Sequence, residues 1–355
     1  MKRIIEITKD NPIPVLFLII CLFGLWIAEL PLPIFINDLI ARLTRNTFLV
    51  LSLIIPIVVG LGLNFALVTG AMAGQIGAIT VIELGIKGLQ GFLVACLIAV
   101  PLAIIFGYLL GKLFNIAKGR EMITGFITGF FANGVYQFIF LFLIGTALIP
   151  FKDKTILLPQ GWGIRSVVDL FNIQYAIDSI LIFRIPVGRY LLSVPLSTFI
   201  IIFILCLAIN YFLKTKLGQE FKAIGQEPHV SLVYGINVDK NRILATIISI
   251  ALAAIGQLIF LQNLGTVNTY ASHEQVALFS IAALLVGGAT VKKATVSNAL
   301  LGVLLFHSIF IISPQAGQKL FGQPQVGEYF RVFVAYGVIA FSLATHTFQE
   351  RVAKK

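Results

Sequence analysis

Residues 214–242 read KTKLGQEFKAIGQEPHVSLVYGINVDKNR and form a polar segment between two long apolar runs. The cations within this segment or at its ends are Lys214, Lys216, Lys222, Lys240 and Arg242. An excess of lysine and arginine beside membrane spans marks the cytoplasmic side. The segment therefore predicts a membrane protein with a cytoplasmic loop at residues 214–242.

A short helix is predicted inside this loop, over the residues PHVSLVY that start at Pro228. Proline suits the first position of a helix, because it has no N–H to leave unpaired and its φ is already helical. Gly235 suits the left-handed residue just beyond a helix end. We therefore expect a helix of about two turns that ends at Tyr234.

The loop also resembles a known family. It reads LG at 217–218, AIGQEP at 223–228 and YGINV at 234–238. This pattern is similar to the cytoplasmic loop of permeases from ABC importers, in the branch that handles simple sugars, nucleosides and, more distantly, branched-chain amino acids. The similarity continues through a helix rich in small residues at 248–256 and through LLVGG at 284–288. The resemblance implies that the loop docks into a groove on a separate ATPase subunit.

The resemblance assigns an ATPase-coupling role to one set of loop residues. They are Leu217, Gly218, Lys222, Ala223, Gly225, Glu227, Pro228, Val230, Leu232, Val233, Tyr234 and Gly235. The apolar side chains of Val230, Leu232 and Val233 would fill the groove, with Lys222 and Glu227 at its rim. The alternative is a solvated connector between two spans.

The same resemblance implies three protein partners: the ABC ATPase, a second permease subunit that is either a copy of this chain or a related one, and an external substrate-binding protein. The sequence contains no GxxxxGK[ST] motif, so ATP and Mg would be bound by the ATPase and not through a P-loop of this chain. It also contains no HExxH or CxxC motif. We expect no cofactor, no metal site and no catalytic residue in this chain.

The composition independently predicts a membrane protein. Hydrophobic residues make up 58% of the 355 residues and charged residues 12%, whereas soluble domains are about 45–50% apolar. The net charge of +11 would suit a nucleic acid, but the basic residues fall in short loops between apolar runs, where the positive-inside rule accounts for them. Composition thus predicts a polytopic membrane protein in a lipid bilayer, with no nucleic-acid partner. The resemblance further implies a single permease domain over residues 1–355 in the cytoplasmic (inner) membrane.

The fold class predicted is all-α, with about ten transmembrane helices. The apolar runs lie at about 13–30, 47–66, 67–85, 90–115, 121–149, 192–213, 243–262, 276–290, 297–313 and 329–347. An even count and the distribution of lysine and arginine place both termini in the cytoplasm. The runs at 276–290 and 297–313 are short, which indicates broken or tilted helices near the pathway.

The longest segment predicted to be external covers residues 150–190. Its middle, residues 167–182, has apolar residues at helical spacing and is predicted to form an amphipathic helix. Such a helix would serve as a platform for an external binding protein, or would lie at the lipid interface.

Two groups of polar residues within apolar runs are candidates for the solute pathway. Residues 60–77, GLGLNFALVTGAMAGQIG, combine five glycines with two amides, and glycines at membrane depth permit broken helices. In the fifth run, two amides four residues apart share a helix face near an aromatic ring, which suits the hydroxyls and apolar face of a sugar or nucleoside. The predicted pathway residues are Asn64, Gln75, Phe130, Asn133, Gln137 and Gln257. The alternatives are tight helix packing and interhelical hydrogen bonds.

These observations predict a permease subunit of an ABC importer for a small polar solute, most simply a sugar or nucleoside, with branched-chain amino acids as the alternative substrate class. An ion-coupled secondary transporter is the alternative from a different class. It is disfavoured by the scarcity of acidic residues at the centres of the apolar runs, because such transporters use intramembrane carboxylates to hold H⁺ or Na⁺.

Overall fold

The computed structural model describes residues 12–353, with side chains over residues 12–344. Its helices are α1 (Pro12–Ala28), α2 (Leu32–Leu51), α3 (Ile54–Val58), α4 (Leu67–Leu84), α5 (Gly88–Ile116), α6 (Glu121–Phe138), α7 (Leu196–Phe212), α8 (Lys216–Gln226), α9 (Pro228–Val233), α10 (Val238–Leu264), α11 (Ser272–Val286), α12 (Val296–Phe321) and α13 (Pro324–Ala353). Helix α6 continues as a π-helix over Ile139–Leu143. The strands are β1 (Val167–Asp169), β2 (Ile182–Val187), β3 (Tyr190–Pro195) and β4 (Thr266–Asn268).

A mostly helical polytopic membrane protein is confirmed, but the count of ten spans is not reached. The all-α prediction was wrong, because the chain also forms two two-stranded sheets. Seven helical stretches of the described chain are long and apolar enough to cross a membrane, and α7 with α8 makes an eighth candidate that is bent by 72°. Helices α1 and α11 are apolar but only 17 and 15 residues long. At 1.5 Å per residue both are shorter than the roughly 30 Å of a bilayer core.

Two predicted span boundaries were wrong. The run predicted to begin at residue 47 begins at Leu32, and α2 with α3 forms one candidate span over Leu32–Val58. The sequence analysis missed the first part of this helix, because charged residues in the 38–45 region lower its hydropathy and separate it from the apolar run that follows. The run predicted at 297–313 is not short, since α12 extends from Val296 to Phe321. The terminal lysines and arginines that supported cytoplasmic termini have side chains outside the described residues.

Helices α3 and α4 are separated by a mostly buried, non-helical break at residues 59–66. Gly60 and Gly62 have φ values of +83° and +74° there, a left-handed backbone that favours glycine. Asn64 stabilises the break: its Oδ1 accepts from the Ala66 N–H at 3.1 Å, and its Nδ2 donates to Ser249 Oγ at 3.3 Å. The glycine-rich stretch therefore contains both of the arrangements that its sequence permits: a break at Gly60 and Gly62, and close helix packing at Gly70 and Gly74.

Helix α10 lies at the centre of the molecule and packs against α2, α4 and α5. Glycine makes this packing close. A Cβ added at Gly70 or Gly74 of α4 would lie 2.5 or 2.6 Å from a carbonyl oxygen of α10, and one added at Gly107 or Gly111 of α5 would lie 2.7 or 2.8 Å from an α10 Cα. These two GxxxG pairs therefore allow two helices to approach the same central helix.

The amphipathic helix predicted at residues 167–182 was wrong. Val167–Asp169 instead forms strand β1 and pairs with β4, Val167 opposite Asn268. Turns follow over 171–180, and β2 and β3 form a hairpin. The helical spacing came from Ile173 and Ile177, which are both buried under the turns. Strand β1 finds its backbone partner about a hundred residues further along the chain, where local spacing gives no signal.

Candidate functional site

The polar segment at 214–242 folds into two short helices with different surroundings. Helix α8 leaves α7 at an angle of 72°, and Thr215 Oγ1 caps it by accepting from the Gly218 N–H at 3.3 Å. Phe221 and Ile224 of α8 are fully buried, and the Phe221 ring lies 5.5 Å from the Phe212 ring of α7. Helix α8 is therefore packed into the membrane-spanning body.

Close backbone contact fixes the end of α8. A Cβ added at Gly225 would lie 2.1 Å from the Val58 carbonyl oxygen of α3, and one added at Gly60 would lie 3.0 Å from Gly225 Cα. Glu220 adds a polar contact, accepting from Asn241 Nδ2 of α10 at 2.9 Å. Movement of α8 is thereby coupled to α3, to the break after it and to the central helix α10.

Helix α9 confirms the short helix predicted from the sequence. It begins at Pro228 and ends at Val233, one residue before the expected end, and Gly235 follows with φ +79°. Ser231 is buried and its Oγ donates to the Glu227 carbonyl oxygen at 3.0 Å. The opposite face is apolar and open: Val230, Leu232, Val233 and Tyr234 are 48%, 56%, 76% and 81% exposed.

The structure divides the predicted coupling residues into two groups. Leu217, Gly218, Lys222, Ala223 and Gly225 are buried or half-buried on α8. The exposed group contains Glu227, Pro228, Val230, Leu232, Val233, Tyr234 and Gly235. The first group attaches the loop to the membrane-spanning body, and the second forms a free surface. We call the exposed side chains of Val230, Leu232, Val233 and Tyr234 the α9 face.

A buried polar cluster joins α4, α6 and α11. His273, in the first turn of α11, is completely buried. Its Nδ1 lies 2.8 Å from Gln75 Oε1 of α4, and its Nε2 lies 2.8 Å from Asn133 Oδ1 of α6. Tyr136 packs edge-on against the imidazole with 4.9 Å between ring centroids. His273 thus links two amides that the sequence assigned to the pathway.

The cluster continues towards a carboxylate. Asn133 Nδ2 donates to Glu274 Oε1, and Gln137 Nε2 donates to Asn133 Oδ1 at 3.3 Å. Asn133 and Gln137 therefore share one face of α6, as predicted. Because Asn133 donates with Nδ2 to Glu274, it presents its oxygen to His273, which assigns the proton of a neutral imidazole to Nε2. Nδ1 is then an acceptor, and the Gln75 amide must turn its nitrogen towards it. We call Gln75, Asn133, Gln137, His273 and Glu274 the His273 cluster.

Aromatic rings lie beside the Glu274 carboxylate. Phe65, Phe126, Phe130 and Glu274 line a cavity of about 60 Å³. The Phe126 and Phe130 rings meet edge-on at 4.6 Å, and Phe130 is 57% exposed. A carboxylate beside aromatic rings can bind hydroxyls or an ammonium group while a ring covers an apolar face.

The remaining predicted pathway residues lie outside this cluster. Asn64 is used in the break at 59–66. Gln257 of α10 is buried, and its Nε2 lies 3.5 Å from Ser272 Oγ, next to His273 in the chain. Sequence analysis did not select His273 or Glu274. The signal was present, because Ser272-His273-Glu274 is a polar triplet at the start of an otherwise apolar helix.

Comparison with known proteins identifies the family. A family model described as a branched-chain amino acid transport system permease component matches residues 35–343. The "Probable ABC transporter permease protein YphD" of Escherichia coli (strain K12) is 32% identical over 124 residues, which cover 34% of this chain and 37% of that protein. No solved structure matches. The chain therefore belongs to the family of branched-chain amino acid transport system permease components, multi-pass transporter components of the cytoplasmic membrane that are not enzymes.

Proposed function

We propose that this chain is the membrane permease of an ABC importer that moves a small polar solute, a simple sugar or nucleoside, by alternating access driven by a separate ATPase. The observation that carries the proposal is the α9 face: exposed apolar side chains on a short helix whose neighbour α8 is held rigidly by the membrane-spanning body.

The α9 face has the properties of a docking surface. Exposed apolar residues on α5, α6 and α7 belong to long apolar helices, where lipid covers them. Helix α9 instead lies in a polar segment that begins at Lys214 and includes Glu227 and Lys240. Burying a side chain such as Leu232 or Val233 on a partner is worth roughly 1.5–3 kcal/mol before ordering costs. Several such contacts would offset much of the cost of associating with an ATPase.

The contacts of α8 give the mechanism of coupling. An ATPase that closes on ATP would move α9 and, through Gly225, the α3 helix and the break at 59–66. The same movement would reach α10 through Glu220 and Asn241. Since α4 begins after the break and carries Gln75, displacement of the loop would shift one wall of the His273 cluster relative to α6. The permeation path would then open alternately to the two sides of the membrane.

The His273 cluster supports a polar, uncharged solute. The half-buried Glu274 at the edge of the cluster can accept hydrogen bonds from hydroxyls, and Phe130 offers an exposed ring to the apolar face of a sugar or base. By contrast, the cavity of about 490 Å³ between α4, α5 and α6 is lined mainly by apolar side chains such as Phe106, Leu110 and Phe140. A polar solute would lose its hydration there without compensation.

Branched-chain amino acids are the second candidate substrate, favoured by the description of the matching family. The Glu274 carboxylate would then pair with the ammonium group of the solute. Measuring uptake of a labelled sugar, nucleoside and leucine in cells that lack related importers separates the two classes. Uptake of leucine alone would overturn the sugar or nucleoside assignment.

The remaining architecture follows from the same proposal. We propose that α1 and α11 also lie within the bilayer, giving ten membrane helices, with both termini and α9 in the cytoplasm. A second permease subunit, the same chain or a related one, would complete the pathway. The segment at 150–190 would face an external substrate-binding protein.

Co-purification with the ATPase tests the α9 face directly. The change Val230→Asp with Leu232→Asp places two charges on the face and is expected to abolish retention of the ATPase by the detergent-solubilised chain. The matched control, Ile182→Asp with Ile185→Asp, alters two exposed residues of the β2–β3 hairpin, which are 38% and 39% exposed. The ATPase should remain bound to the control. Retention by the α9 variant would refute the coupling role.

A further inference from the structure

Helix α2 carries two arginines inside a candidate membrane span. Arg42 and Arg45 are three residues apart, so their side chains leave the same face of the helix. Both lie within Leu32–Val58, a stretch long and apolar enough to cross a membrane. Ionisable side chains within membrane spans are costly, and they commonly mark a binding site or an ion pathway.

These two guanidinium groups are not hydrogen-bonded to any described residue. Arg45 Nε is buried without a partner, and the only aromatic contact of Arg45 within the described part of the chain is Phe260, whose ring centroid lies 5.7 Å from Cζ. Arg42 is within electrostatic range of Asp38 and Glu328, but no carboxylate of the described residues lies within 4.0 Å of either arginine. Their N–H donors therefore remain free.

A third arginine adds to this positive region. Arg331 of α13 faces the same region: its guanidinium lies over the Phe310 ring of α12, a helix that packs against α2. It forms an ion pair with Glu328 and donates from Nη1 to the Phe310 carbonyl oxygen at 3.5 Å, with its Cζ 4.9 Å from the Phe310 ring centroid. Its Nε is buried without a partner among the described residues. The three arginines outnumber the carboxylates of Asp38 and Glu328, so one positive charge is uncompensated.

The imidazole of His307 borders the same region from α12. It is buried, its Nδ1 has no hydrogen-bond partner among the described residues, and it lies within electrostatic range of Arg42 and Arg45. A ligand that supplies several acceptor oxygens would satisfy the free donors of the arginines. A neutral His307 would add one further donor.

We propose that Arg42, Arg45 and Arg331 form a binding site for a phosphate group at the junction of α2, α12 and α13. Phosphate matches the site because it combines negative charge with several acceptor oxygens, which guanidinium groups bind in pairs of parallel hydrogen bonds. The site is separate from the α9 face and the His273 cluster, and it does not depend on the proposed transport activity.

The phosphate has two possible sources, which share this chemistry. One is the headgroup of an anionic phospholipid, since long arginine side chains reach from within a span towards the headgroup layer. The position of α2 fits this source. Asn37 lies just over one turn before Arg42, and its Oδ1 accepts from the Ser193 N–H of the β2–β3 hairpin at 3.0 Å. The arginines therefore lie towards the hairpin end of the molecule. The other source is a soluble phosphate that enters from that side.

Two binding measurements on the purified full chain distinguish these sources. Native mass spectrometry in mild detergent counts retained phosphatidylglycerol, and calorimetric titration of delipidated protein measures affinity for inorganic phosphate. The variant combines Arg42→Gln with Arg45→Gln, and the matched control is Arg189→Gln on the exposed hairpin. We expect the double variant to lose at least about tenfold in retention or affinity, and the control to equal the native chain.

The outcomes separate cleanly. Loss in the lipid measurement identifies a phospholipid, and loss in the phosphate titration alone identifies a soluble anion. If the double variant equals the native chain in both measurements, the proposal is overturned. Folding is checked by gel filtration, and we expect the variant to fold because it removes charges that have no hydrogen-bond partner among the described residues. Should it aggregate, Arg42→Lys keeps the charge, loses the paired donors and is expected to weaken binding in the same measurement.

Discussion

The α9 face exposes apolar side chains, whereas the His273 cluster buries polar ones. Both depart from the usual distribution, in which apolar residues are buried and polar residues are exposed. On α9, apolar side chains such as Val233, which is 76% exposed, project from a polar loop. In the cluster, His273 is fully buried among apolar helices and its ring nitrogens both lie 2.8 Å from amide oxygens. The α9 face lacks a partner within the described chain, whereas the polar side chains of the His273 cluster already contact one another.

This difference predicts opposite responses to mutation. Removing a side chain from a satisfied buried network leaves other polar atoms without partners, which costs stability. Removing an apolar side chain from an open surface changes little in the isolated chain and affects only association. Stability measured on the solubilised chain therefore separates residues that hold the fold from residues that bind a partner.

The largest effect is expected at a buried ion pair near the base of the loop. Arg242 was predicted as a loop cation, but it is buried, forms an ion pair with Glu121 of α6 and donates to the Phe114 carbonyl oxygen at 3.3 Å. The change Arg242→Met strands the Glu121 carboxylate and is expected to lower the unfolding free energy by about 3–5 kcal/mol. Unfolding in mixed detergent micelles measures it.

A second ion pair at the same end of the molecule provides the control. Lys118 and Asp239 are 2.7 Å apart, with side chains 52% and 57% exposed. Because water already solvates both charges, Lys118→Met should cost at most about 1 kcal/mol. Equal losses for Lys118→Met and Arg242→Met would show that burial does not set the strength of these pairs.

The next effect is expected within the His273 cluster. Asn133→Leu keeps a similar size but leaves the His273 Nε2, the Glu274 carboxylate and Gln137 without their shared partner. Of these three, only His273 is fully buried, and a stranded buried group costs about 1–3 kcal/mol. With smaller losses from the half-buried Glu274 and Gln137, the unfolding free energy should fall by roughly 2–4 kcal/mol. The control is Thr128→Val on the same helix, whose hydroxyl donates only to the Thr124 carbonyl oxygen at 2.7 Å. A loss no larger than the control's would mean that water replaces Asn133.

Local signals in the sequence were sufficient to predict the short helix in the cytoplasmic loop and to indicate a break in the glycine-rich stretch. Pro228 and Gly235 set the ends of α9 through their own backbone preferences, and Gly60 and Gly62 predicted an interruption that the structure shows at 59–66. Composition was sufficient for the class of protein. In each case, the property used belongs to a residue or its immediate neighbours and does not depend on distant contacts.

Distant contacts were beyond the sequence. His273 lies 198 residues from Gln75 and 140 from Asn133, so its role emerges only when α4, α6 and α11 pack together. Strand β1 was missed for the same reason: its partner β4 lies about a hundred residues later in the chain, after the central helix α10. The charges of Arg42 and Arg45 misled the span prediction, since hydropathy windows treat any charge as solvent-exposed.

A smaller effect on the unfolding free energy is expected at the close contact between α8 and α3. Gly225→Ala adds a methyl group 2.1 Å from the Val58 carbonyl oxygen, which must move α8 away from α3 at a cost of about 1–3 kcal/mol. The control is Gly134→Ala on α6, where no atom lies within 4 Å of the added methyl. Alanine should stabilise that helix by roughly 0.5–1 kcal/mol. Equal unfolding free energies for the two variants would contradict the close contact of α8 with α3.

The smallest effect on stability is expected on the α9 face. Leu232→Ala with Val233→Ala removes side chains that are 56% and 76% exposed, so the unfolding free energy should change by no more than about 0.5 kcal/mol. Ile224→Ala on α8 is the control: this side chain is fully buried, and its loss should cost about 2–5 kcal/mol.

Reading the same two variants for ATPase retention completes the test. If α9 is a docking surface, the variant Leu232→Ala with Val233→Ala should remain stable but lose the ATPase. The apolar area that it removes is exposed in the isolated chain and would be buried only in the complex. Ile224→Ala should act through stability instead, and should keep the ATPase wherever it remains folded. A double variant as unstable as Ile224→Ala would instead place α9 against the body of its own chain, and the contrast between an open face and a buried cluster would fail.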